Sequence, residues 1–76
     1  MQLANLWIMG CSINAEAGQF KPGQFIGIEC QGHLVVCGIV RTQDGPIVGI
    51  EFTTTMSQSH AAFLRRNKPA LVARLL

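Results

Sequence analysis

Two residues, Gln31 and Gly32, constrain this chain more than any others, because they stand alone between two β-rich runs. Residues 24–30 read Gln-Phe-Ile-Gly-Ile-Glu-Cys, and residues 33–42 continue with His-Leu-Val-Val-Cys-Gly-Ile-Val-Arg-Thr. Two turn residues between such runs specify a tight hairpin. That turn sets Cys30 opposite His33, Ile28 opposite Val35 and Ile26 opposite Cys37. Alternation then places Ile26, Ile28, Cys30, Val35, Cys37 and Ile39 on one face, the expected core. Cys30 and Cys37 do not face each other, which argues against a disulfide between them. A second turn, Gln43-Asp44-Gly45-Pro46, leads into a strand over residues 47–53, with Val48, Ile50 and Phe52 on one face and Gly49 and Glu51 on the other. The middle strand is apolar on its second face too, through Leu34, Val36 and Val40. A meander with such a strand must close into a barrel or be covered by a helix.

The flanking segments fit that demand. Residues 3–15 are β-prone and interrupted by Gly10, where a bend, a bulge or a close backbone approach is expected. A connector over residues 16–23 ends in Lys21-Pro22-Gly23, a strong turn signal. Downstream, Thr55 or Ser57 can cap a helix running to about Asn67, with Met56, His60, Phe63 and Leu64 forming its apolar stripe. Pro69 ends or kinks it. Residues 70–76 are expected to add a further helical turn or two. Their Leu71, Val72, Leu75 and Leu76 must dock on the barrel or on a neighbouring subunit. The expected fold is mainly β: a small antiparallel barrel over about 3–53 with a C-terminal α-helix over about 56–76, in a single domain spanning 1–76.

A chain of 76 residues buries only roughly 60% of the surface of its unfolded state. Its residues are 49% hydrophobic and 13% charged, so some apolar surface is expected to stay exposed for a partner or for self-association. The same figures exclude disorder. A net charge of +2 is too small for a nucleic-acid footprint, and Arg65, Arg66, Lys68 and Arg74 gather near the C-terminus as a solvated face. Cys11, Cys30 and Cys37 lie in apolar runs without zinc-like spacing and read as core. Free thiols, no secretory leader and no apolar run of the roughly 20 residues that span a bilayer place the chain in the cytoplasm.

Chemistry has little to work with. His33 sits beside a turn and His60 on a helix, both read as structural. Glu16, Glu29, Asp44 and Glu51 are dispersed over turns and strand faces; Glu29 and Glu51 read equally as neighbours across the sheet or as a solvated face. No phosphate loop, nucleophile elbow or metal signature is present. The chain is read as a non-enzyme without cofactor or metal.

The order of turns and strands resembles the PilZ family of small regulatory barrels. One stretch is Asn5-Leu6-Trp7-Ile8-Met9-Gly10-Cys11-Ser12-Ile13, similar to that family's Asp/Asn-x-Ser-x-x-Gly strand. The other is Gly38-Ile39-Val40-Arg41, the Asp44-Gly45 turn, and Ile47-Val48-Gly49-Ile50-Glu51-Phe52, similar to its Val-Arg, turn, Gly-Ile-x-Phe ending. The likeness covers about residues 3–66. It implies bacterial signalling through cyclic-di-GMP, bound by the Ser-containing strand together with an N-terminal Arg-x-x-x-Arg segment whose guanidinium forks grip phosphates and guanine edges. Only four residues precede Asn5, so that segment is missing, and Trp7 stands at the Ser position. Asn5, Trp7 and Gly10 remain as the candidate ligand-binding residues. Each has a plainer structural reading: a strand-edge polar group, a packed aromatic, a bend. The resemblance therefore implies a regulatory module that works by protein contact, with cyclic-di-GMP binding weak or absent. The alternatives are a genuine cyclic-di-GMP receptor completed by another segment or chain, and a small barrel binding single-stranded nucleic acid.

Overall fold

The computed structural model describes residues 2–16 and 18–76. Six strands form one antiparallel sheet: β1 (Gln2–Leu6), β2 (Gly10–Asn14), β3 (Phe25–Cys30), β4 (His33–Asp44), β5 (Ile47–Phe52) and β6 (Leu71–Leu75). A single α-helix, α1 (Gln58–Arg66), and a 3₁₀ turn (Lys68–Ala70) lie between β5 and β6. The strand order is β1-β2-β5-β4-β3-β6. The sheet curls into a half-barrel, and its two edge strands, β1 and β6, approach each other. The fold is mainly β, as the alternation of apolar residues implies.

The β3–β4 hairpin turns at Gln31-Gly32, with φ of 54° and 83°, the left-handed pair that suits the strand twist. Cys30 faces His33 as expected. The same register holds at Glu29↔Leu34 and fails from Ile28 on. A bulge makes Ile28 face Val36 and Ile26 face Gly38, leaving Val35 as the extra residue. One extra residue moves every later side chain to the other face. Val36, Gly38 and Val40 therefore point into the core, while Cys37 and Ile39, expected inside, lie half-buried on the outer face. The slip gives Gly38 to the inner face, where β4 and β5 leave no room for a side chain. A Cβ there would stand 2.8 Å from the Glu51 carbonyl oxygen and 2.6 Å from Ile50 Cγ2.

The core gathers Leu3, Leu6, Cys11, Ile13, Ile26, Ile28, Cys30, Val36, Val40, Val48, Ile50, Phe52 and Leu71 from the sheet and Phe20, Met56, Ala61 and Leu64 from the segments around it. No polar or charged residue is buried among the described residues. The connector from β2 to β3 is fixed at Pro22-Gly23. Gly23 has φ 92° and Gln24 N–H donates to Lys21 C=O, 3.2 Å. Two bonds to Val40 lock this segment onto β4: Gly23 N–H to its carbonyl, 2.7 Å, and its own N–H to Gln24 C=O, 2.9 Å.

Ser57 caps α1, its Oγ accepting from His60 N–H at 3.1 Å. The helix buries Ala61 and Leu64, both fully. The expected stripe is half right: Met56 and Leu64 face in, but His60 is intermediate and Phe63 is exposed. Ala61, which has no bulk to hold the helix away, takes the central contact. Asn67 ends the helix, with its N–H and its Nδ2 both donating to Phe63 C=O.

The larger correction is downstream. Residues 71–75 are not helical but form β6, paired with β3 from Ile26↔Leu75 to Cys30↔Leu71. Pro69 cannot continue an α-helix, and β3 would otherwise present a row of unpaired N–H and C=O groups along its edge. The sheet therefore takes in the C-terminal segment, and the barrel does not stop near residue 53. Of the two docking options open to the tail, the chain's own sheet is the one used.

Candidate functional site: the β1–β2 hairpin and the outer sheet face

Asn5, Trp7 and Gly10 fall on one hairpin. Asn5 is exposed on the outer face of β1, in register with Ser12 of β2. Trp7 and Met9 project from the connecting turn, 56% and 62% exposed. The packed aromatic expected at Trp7 is thus a surface indole. The turn backbone is nonetheless well tied. Trp7 N–H donates to Gly10 C=O, Phe52 N–H to Met9 C=O and Met56 N–H to Ile8 C=O, each 2.8 Å. Arg65 of α1 reaches the same hairpin, its Nη2 donating to Leu6 C=O at 3.2 Å. Gly10 is explained by close backbone approach: any Cβ would collide with the Ile50 carbonyl oxygen of β5.

The outer face further along the sheet was not foreseen as one surface. Register sets three rows across β6, β3 and β4: Val72, Glu29 and Leu34; Arg74, Gly27 and Cys37; and, beyond them, Phe25 with Ile39. Leu76 continues the tail past Arg74, held by its N–H to Phe25 C=O at 3.1 Å. Gly27 leaves a hollow at the centre, into which the ends of Leu34 and Leu76 lean. Phe25, Leu34, Val72 and Leu76 are each at least half exposed. The sequence pattern hid this surface because it rests on the Val35 bulge and on β6, neither of which local alternation announces.

Charges on this face are paired. Arg74 meets Glu29 at 3.2 Å, and Arg41, the extra residue of a second bulge in β4, meets Glu51 at 2.8 Å. Glu29 and Glu51 are therefore not neighbours, since β4 separates their strands and each has its own arginine. His33 is exposed at the hairpin and His60 lies on α1. Among the described residues no group of three His, Cys, Asp or Glu side chains is placed to hold a metal ion. Cys11 and Cys30 are buried and Cys37 is intermediate, all free thiols. Burial pushes the Cys11 thiol up to about 12, which keeps it protonated and unreactive. No helix of the described residues is long and apolar enough to cross a membrane. No family model, curated protein or solved structure matches the chain.

Proposed function

We propose that this chain is a PilZ-like regulatory module of cyclic-di-GMP signalling that acts by protein contact and binds the nucleotide weakly or not at all. The observation that carries the contact reading is the outer face around Gly27, where four large apolar side chains stand in solvent while the nearby charges neutralise one another. A contiguous apolar surface of this kind on a small domain marks an interaction site. The family reading rests on the order of parts: the Asn5–Gly10 hairpin, the Pro22-Gly23 turn, the β3–β4–β5 meander, then a capped helix. Weak nucleotide binding follows from Trp7, whose indole occupies the place where the resemblance calls for a small hydroxyl.

A receptor reading is favoured by one observation. The β1–β2 hairpin carries the exposed Trp7 indole and, at the carbonyl of the preceding Leu6, the Arg65 guanidinium, and an indole with an arginine on the same hairpin is a fit combination for stacking and phosphate contact. Titrating cyclic-di-GMP while following Trp7 fluorescence, with calorimetry in parallel, separates the two. We expect no saturable response in the micromolar range. A tight response abolished in Arg65→Ala would overturn the protein-contact reading in favour of a receptor.

A further inference from the structure

The occupant of the outer face can be named from its chemistry. We infer that the surface of β3, β4 and β6 around Gly27 is a self-association face, on which a second copy of this chain packs sheet against sheet. This rests on the protein-contact reading above and specifies its partner.

Charge is the first argument. A surface that recruits a different, charged protein carries unpaired charge of one sign, which steers the encounter and rejects wrong partners. This one carries one cation for each anion, Arg74 with Glu29 and Arg41 with Glu51, each pair closed within the chain. Its field is close to neutral, so a two-fold copy meets no like-charge repulsion. Each pair can also exchange partners with its symmetry mate. A two-fold contact uses the same patch on both subunits and must be self-complementary in this way.

Shape and area agree. Phe25 and Leu34 stand on paired strands of one sheet face, and Val72 and Leu76 extend that face across β6. Stacked sheets pack about 10 Å apart with interdigitated side chains. The space over the buried Gly27 is filled by the ends of Leu34 and Leu76, which joins β3, β4 and the tail into one apolar surface for a partner to pack on. The four exposed side chains leave a few hundred Å² of apolar surface. Doubled by symmetry and joined by the aliphatic stem of Arg74 beside Gly27, this reaches about the 1,000 Å² in total that a specific interface needs. The second face of the sheet thereby gains the cover that its apolar residues demand, which α1, committed to the inner face through Ala61 and Leu64, does not provide.

The test is analytical ultracentrifugation of the wild-type chain from micromolar to near-millimolar concentration, beside three variants. Leu34→Glu and Phe25→Lys place charge in the patch at exposed positions, so the fold is retained, as far-UV circular dichroism would verify. Met9→Lys changes an equally exposed apolar residue on the β1–β2 hairpin. The expected result is a wild-type and Met9→Lys dimer, with self-association weakened about tenfold or more in both patch variants, as for loss of a central interface residue. A wild-type chain that is monomeric throughout overturns the inference, as does a dimer untouched by both patch variants or broken by Met9→Lys alone. Its failure is distinguishable from that of the underlying reading. A monomer silent toward cyclic-di-GMP removes the second copy and leaves protein contact standing, whereas a dimer that binds the nucleotide tightly does the reverse.

Discussion

Gly27 and Gly38 lie on paired strands and should respond unequally to the same substitution. In Gly27→Ala the new methyl meets Leu34 Cδ1 at 2.6 Å and Leu76 Cδ2 at 3.0 Å. Both are ends of flexible, solvent-exposed side chains that rotate aside at small cost. Replacing a strand glycine also recovers roughly 0.5–1 kcal/mol of backbone entropy. The two effects nearly cancel, and Gly27→Ala is expected within about 0.5 kcal/mol of wild type. In Gly38→Ala the methyl meets the Glu51 carbonyl oxygen at 2.8 Å and Ile50 Cγ2 at 2.6 Å. Gly38 is in register with Phe52 at the β4–β5 junction, and Ile50 is 5% exposed in the core. Neither neighbour can yield without moving β5. Overpacking of this kind costs about 1–3 kcal/mol, of which the entropy gain offsets a part, leaving roughly 1 kcal/mol. At about 4–8 °C per kcal/mol for so small a domain, Gly38→Ala should melt about 6 °C below Gly27→Ala. Urea unfolding at matched protein concentration measures both, with unchanged m-values showing that the comparison is one of stability. A Gly38→Ala chain as stable as Gly27→Ala would refute the inward placement of Gly38 and with it the Val35 bulge.

Leu64→Ala should be far more costly, about 3 kcal/mol by urea unfolding. Leu64 is fully buried, and α1 has nine residues, too few to persist without its packing. Alkaline pH should weaken the fold through Cys11. Its folded value is about 12 against an ordinary 9.0, so above pH 9 the unfolded chain releases a proton that the folded chain holds. Stability present below pH 9 is then lost as pH rises toward 12, at up to about 1.4 kcal/mol per pH unit. A Cys11→Ala chain, whatever its absolute stability, should show a flatter dependence in the same window, and an equally steep one would assign the loss elsewhere.

What the sequence determined by itself was whatever depends on a few adjacent residues. Gln31-Gly32 and Gly45 adopt the positive φ that their turns require. Val48, Ile50 and Phe52 share the buried face of β5, and Ser57 caps the helix. The candidate site was legible only in part: Gly10 announced a close backbone approach, but the reversal at residues 7–9 that makes β1 and β2 a hairpin was not announced by the β-prone run over 3–15. Tertiary structure decided what depends on distant partners. The Val35 bulge is a matter of pairing with β3, and it decides that Gly38 rather than Cys37 or Ile39 meets β5 on the inner face. Trp7 is exposed because the turn backbone, not the indole, is what β5 and the segment before α1 hold. Residues 71–75 carry an apolar pattern that suits a helix or a strand, and the unpaired edge of β3, more than forty positions earlier, selects the strand. Backbone hydrogen bonds left open by one segment must be closed by another, and local sequence does not record which one will be in reach.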